Sequence, residues 1–128
     1  MNITYEKATD KNLDAVIESL EAYLKEHGYG VLWHLDFKEK LENKGLDFEN
    51  DYRVLEVCDP KQAHELMGHD IQAGFVLPCK MVVRRENGKT HIGYTSPKVL
   101  LGFFKNPDID AIADRIEDTL KDAIEAVL

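Results

Sequence analysis

Cysteine and tryptophan are scarce in this chain of 128 residues: there are two of the first, Cys58 and Cys79, and one of the second, Trp33. Two cysteines cannot staple a disulfide scaffold, so stability has to come from a hydrophobic core, and in a reducing compartment both stay thiols. Serine is as rare, at Ser19 and Ser96 only. Ser19 falls inside a helical pattern and Ser96 stands directly before a proline, which leaves a serine-hydrolase triad without a nucleophile. Glycine-rich phosphate loops of the dinucleotide-binding or Walker type are missing, so nucleotide binding has no motif behind it. The longest apolar runs, Val99 to Phe104 and Gly74 to Leu77, fall far below the ~20 residues of a membrane-spanning helix. Positive charge is also in deficit, with 16 Lys and Arg against 24 Asp and Glu and a net charge of −8. Nucleic-acid binders need a basic footprint to displace phosphate counterions, so neither nucleic acid nor a membrane is an expected partner. Met1 to Lys7 carries no apolar h-region and alternates like a strand, and the expectation is a cytoplasmic protein without a secretory signal.

What is present fits one domain: 44% of the residues are hydrophobic, enough for a core at this length. Asn2 to Ala8 alternates with the period of a half-buried strand. From Asp10 to His27 the residues Leu13, Val16, Ile17, Leu20 and Leu24 recur at helical spacing, with Thr9 or Asp10 as N-cap and Gly28 as the stop. Tyr29 to Asp36 reads as a strand, Phe37 to Lys44 as a short helix ended by Gly45, and Tyr52 to Cys58 as a third strand. Asp59-Pro60, Ser96-Pro97 and Asn106-Pro107 each place a side-chain acceptor at N-cap and a donor-less residue at N1, so each opens a helix. The first adds Gln62 at N3, a capping-box-like start. Phe75 to Arg85 and Lys89 to Thr95 read as strands joined at Glu86-Asn87-Gly88, where Asn-Gly supplies the positive φ of a tight hairpin. Asp108 to Leu128 puts Ile109, Ile112, Ala113, Ile116, Leu120, Ala123 and Val127 on one helix face and acidic residues on the other.

The order β-α-β-α-β-α-β-β-α predicts an α+β fold, a two-layer α/β sandwich with a mostly antiparallel five-stranded sheet and its long helices on one face. Strand parity then sorts the side chains. Ile3 and Tyr5, Val31, Trp33 and Leu35, Leu55 and Val57, Phe75, Leu77, Cys79, Met81 and Val83, and Ile92 and Tyr94 are expected under the helices. The open face is expected to carry Leu32, His34, Tyr52, Val54, Glu56, Cys58, Lys80, Val82 and His91. Pro78 signals an edge strand or a bulge, since it cannot donate to a ladder.

The segments Gly28-Tyr29-Gly30-Val31-Leu32, Tyr52-Arg53-Val54-Leu55-Glu56-Val57-Cys58-Asp59-Pro60 and Gly74-Phe75-Val76-Leu77-Pro78-Cys79-Lys80-Met81-Val82-Val83 follow one another in that order. Together they resemble the family catalogued as domain of unknown function 302, and the resemblance spans nearly the whole chain. It implies a compact α/β sandwich similar to the TATA-binding-protein architecture, and a domain apt to self-associate. It implies no activity, because none is established for the family, and a shared topology brings no DNA binding to an acidic chain.

Three groups of residues invite chemistry. His64-Glu65-Leu66-Met67-Gly68-His69 looks like a zinc-protease helix, but its histidines stand at i and i+5 rather than i and i+4, about 140° apart around the helix instead of about 40°, so they read as exposed polar positions. Cys58 ends a strand beside the Asp59 N-cap, where a helix dipole could lower a thiol pKa while the Asp59 anion opposes it. Cys79 sits on the core side as a packed thiol. The third group is the open face itself. Its His34, Glu56, Cys58, Lys80 and His91 are of the types that bind a transition metal or a small ligand, and its Leu32, Tyr52, Val54 and Val82 are the makings of a homodimer interface. The sequence therefore points first to a homodimeric binding or interaction module. The alternative is a thiol-dependent redox enzyme or metal binder built on Cys58. No cofactor follows from the residues.

Overall fold

Each helix begins where a side chain can satisfy a free backbone N–H. In the computed structural model, which describes residues 2–128, the order is β1 (Thr4–Thr9), α1 (Leu13–Glu26), β2 (Gly30–Asp36), α2 (Phe37–Glu42), β3 (Tyr52–Cys58), α3 (Pro60–His69), a 3₁₀ turn (Ile71–Phe75), β4 (Cys79–Glu86), β5 (Lys89–Thr95), α4 (Pro97–Gly102) and α5 (Pro107–Val127). Asp59, Ser96 and Asn106 cap α3, α4 and α5, each accepting from a backbone N–H of the first turn with proline at the helix start. Gln62 does not reach back to the Asp59 backbone as in a full capping box; its amide donates to the Asp59 carboxylate at 3.0 Å and to the Tyr29 hydroxyl at 3.1 Å. Helix α1 starts later than the periodicity predicts, because Asn12 rather than Thr9 or Asp10 accepts from Asp14 N and Ala15 N.

The sheet is antiparallel throughout, in the order β1-β5-β4-β3-β2. Asn87 and Gly88 take φ of 52° and 76° in the β4–β5 hairpin, as its two-residue loop demands. One face of the sheet carries Leu55, Val57, Met81, Val83, Ile92 and Tyr94 into a core shared with Leu20 and Leu24 of α1, Leu66 of α3, Leu101 of α4 and Ile112, Ile116 and Leu120 of α5. The acidic side of α5 faces outward.

Two departures from strict alternation matter for function. A bulge lies between Val31 and Trp33, so Val31 pairs with Val57 while Trp33 pairs with Glu56, and every later residue of β2 changes face. Trp33 and Leu35, expected under the helices, join the open face; His34, expected on the open face, lies opposite Leu55 on the helix side. The second departure is at Pro78. Residues 71–75 form a 3₁₀ turn, and β4 begins only at Cys79. Pro78 has no N–H to give the ladder, so the strand starts after it, and β4 takes the centre of the sheet rather than an edge. Phe75, expected in the core, is instead strongly exposed, and Ile3 lies ahead of β1 and is also exposed.

Candidate functional site

The face away from the long helices has an uneven surface. At one end Tyr52 is met edge-on by Phe37 of α2 and Phe48 of the following loop, with ring centroids 5.8 and 6.2 Å away. Next to it Val54 is only 4% exposed within a single subunit. Val54 therefore has almost no surface to give a partner, which corrects its expected place in an interface; Leu35 and Val82, its register neighbours, flank it.

The other end is hollow. A groove of about 650 Å³ runs between β2, the start of β4 and α4, walled by Leu32, Trp33, Phe75, Pro78 and Leu100, with Glu56 and Lys80 among its lining. Leu32, Trp33 and Phe75 stand out at 61%, 54% and 86% exposure. Contiguous exposed apolar groups of this size mark a binding surface, and the volume lies in the range of small-molecule pockets, roughly 300–1,000 Å³. Trp33, Glu56 and Lys80 form one row across β2, β3 and β4, and Lys80 Nζ is 3.6 Å from Glu56 Oε1. Trp33 and Phe75 escaped the sequence reading for different reasons. Nothing in the local pattern announces the bulge, whereas Gly74 and Pro78 around Phe75 were a usable sign that no strand runs there.

The remaining open-face candidates are dispersed. His91 lies at the far side with Arg84 and Glu6: Arg84 donates from Nε to Glu6 Oε2 at 3.0 Å and from Nη2 to Glu6 Oε1 at 2.8 Å, pairs also with Glu86, and His91 Nδ1 is 3.8 Å from Glu6. His34 is across the sheet, where Arg53 Nη1 donates to its Nε2 at 3.4 Å. Among the described residues no group of three His, Cys, Asp or Glu side chains is placed to hold a metal ion. His34, Glu56, Cys58, Lys80 and His91 are thus not one site.

Hydrogen bonds from Arg84 are the main cause holding the Glu6 carboxyl below its ordinary value, against the opposing effect of burial. A depressed folded-state pKa stabilises the protein above the ordinary carboxylate value and loses that stabilisation as pH falls through the lower folded value. The stability gap between the native chain and Glu6→Gln, read from urea midpoints, is therefore expected to shrink between about pH 6 and about pH 3. A gap independent of pH would contradict the Glu6–Arg84 assignment.

Both cysteines are free, and both border a cleft of about 10 Å³ with Tyr29, Asp59 and Gln62, too small to admit a substrate. Burial, and then the Asp59 charge, push the Cys58 thiol up. Burial pushes Cys79 up to about 12. Neither environment favours a thiolate, which is the nucleophilic and metal-binding form.

The architecture is an antiparallel sheet with helices packed on one face and an apolar groove on the other. The family described as "Domain of unknown function DUF302" matches residues 5–127, and the chain belongs to it. It is similar to a solved structure described as "uncharacterized conserved protein DUF302 from Bacillus stearothermophilus", with 38% identity over 100% of both chains and a TM-score of 0.95. No curated protein matches the chain. Among the described residues no helix is long and apolar enough to cross a membrane.

Proposed function

We propose that this chain is a homodimeric binding module whose two copies meet through the apolar rim of the open-face groove. The observation that carries the reading is the exposure of Leu32, Trp33 and Phe75 around one hollow, on a sheet face the long helices leave uncovered. A two-fold contact uses the same patch on both subunits, so that patch must tolerate its own copy. Charge supports this location. The chain carries −8 overall, and the outer side of α5 exposes Asp108, Asp110, Asp114, Asp118 and Asp122. At the groove, by contrast, the lining holds a single pair of opposite charges, Lys80 with Glu56. Two like-charged chains can approach there without facing acidic surface against acidic surface. A standard interface takes about 800 Å² from each partner, roughly a tenth of this subunit's 7600 Å².

The test is subunit mass by native mass spectrometry at micromolar concentration. The native chain is expected as a dimer, and Phe75→Glu and Leu32→Asp as monomers that keep the far-ultraviolet helical signal, since neither side chain belongs to the core. A monomeric native chain, or dimers undisturbed by both substitutions, would sink the reading.

A further inference from the structure

Glu56 presents an unusual balance on the groove floor. Its side chain is 17% exposed, and its one ionic neighbour among the described residues, Lys80, is 53% exposed and stands 3.6 Å away, beyond good hydrogen-bonding distance. Among the described residues no donor makes a hydrogen bond to the Glu56 carboxylate, whereas Glu6 receives two from Arg84 and Glu117 receives from Ser96, Lys98 and Tyr94. The Glu56 oxygens stay open to the groove with no donor bonded to them, and charge-assisted N–H donors serve such a carboxylate best.

We propose that the groove binds a small organic cation, an ammonium or guanidinium group on an apolar body, with Glu56 accepting its N–H donors. Three further features select this ligand class. Trp33 is the register partner of Glu56 and places an indole beside it, and an indole is the strongest π partner for a cation. Leu32, Phe75 and Leu100 supply apolar wall for the body of the ligand. The net charge of −8 enriches cations and repels anions around the molecule. The inference goes beyond the dimer reading and shares its groove: the subunit contact engages the rim at Leu32, Trp33 and Phe75, and the ligand is held at Glu56 within one subunit.

Trp33 is the only tryptophan, so its fluorescence reports the groove directly. The probes are phenethylammonium chloride and its anionic counterpart sodium 3-phenylpropionate, titrated into the intact chain. Phenethylammonium is expected to change the Trp33 emission saturably at millimolar concentration, and 3-phenylpropionate to leave it unchanged. Glu56→Gln should weaken the cation about tenfold or more, the loss of one charge-assisted hydrogen bond. Lys80→Met should strengthen it, because Lys80 competes for the same carboxylate, and this opposite sign separates a binding role for Glu56 from a structural one. Absence of saturation, an equal response to both probes, an unaffected Glu56→Gln, or weaker cation binding in Lys80→Met would each overturn the proposal. Subunit mass measured in the same samples keeps the two readings apart. A dimer blind to phenethylammonium, with the Leu32→Asp monomer blind as well, refutes the cation site alone, and a native monomer that binds it refutes the dimer alone.

Discussion

Gly93→Ala is expected to lower the unfolding free energy by about 2–3 kcal/mol, near the upper end for overpacking a close-packed site. Gly93 lies on β5 opposite Glu6 of β1 and Val82 of β4. A Cβ at this position would stand 2.5 Å from the carbonyl oxygen of Tyr5 and 3.3 Å from Glu6 Cβ. The first of these is backbone, so no rotamer change relieves it and β1 itself must move away. Because β1 is an edge strand whose only ladder partner is β5, it is the element that yields. Its displacement would separate Tyr5 from Tyr94, whose rings stack at 5.2 Å, and draw Glu6 away from Arg84. Urea unfolding would register the loss, and amide exchange would place it in residues 4–9 ahead of β3 and β4. Gly30→Ala is the control, since its Cβ would meet nothing within 4 Å. Equal stability of Gly93→Ala and Gly30→Ala would contradict the close approach of β1 to β5.

The second large effect is alkaline. Cys79 is buried at the start of the central strand, and burial pushes its thiol from 9.0 up to about 12. In the unfolded chain the thiol ionises near its ordinary value, so above it the unfolded state has lost a proton the folded state still holds. Stability is complete below pH 9 and falls as pH rises toward the folded value, by about 1.4 kcal/mol per pH unit. Burial likewise pushes the Tyr29 and Tyr94 hydroxyls up, Tyr94 with added repulsion from Glu117, and they steepen the fall above pH 10. Cys79→Ala should lose stability less steeply between pH 9 and pH 11 than the native chain, by about 1.4 kcal/mol per pH unit in urea unfolding experiments. Equal slopes would mean that Cys79 ionises in the folded protein as freely as in the unfolded one.

The same burial argues against thiol chemistry at neutral pH. Asp59 at the N-cap of α3 adds its negative charge to the burial of Cys58, and both act against the thiolate that the helix dipole would favour. The open face instead gathers its apolar exposure and the Glu56–Lys80 pair at one end, around Trp33.

Much of this molecule can be read from its order of residues. Asp59, Ser96 and Asn106 before proline open three helices, because a side-chain acceptor and a missing N–H act within one turn of chain. Asn87-Gly88 closes the β4–β5 hairpin, because positive φ is a local preference. The apolar stripes of α1 and α5 and the alternation of β3 and β5 mark their buried sides, because each is set by the period of its own element. The groove is different in kind. Trp33 reaches it through a bulge, which depends on how β2 pairs with β3 and leaves no trace in an otherwise alternating segment. Phe75 reaches it because the chain turns before Pro78 instead of entering the sheet. That Glu56 and Lys80 meet while His91 and His34 stand apart follows from the order β1-β5-β4-β3-β2. Local rules determine where elements begin, end and bury a side, since their energies arise between residues a few positions apart. Which side chains share a site is decided by strand order and register, which join residues distant in the chain and appear only when the sheet is assembled.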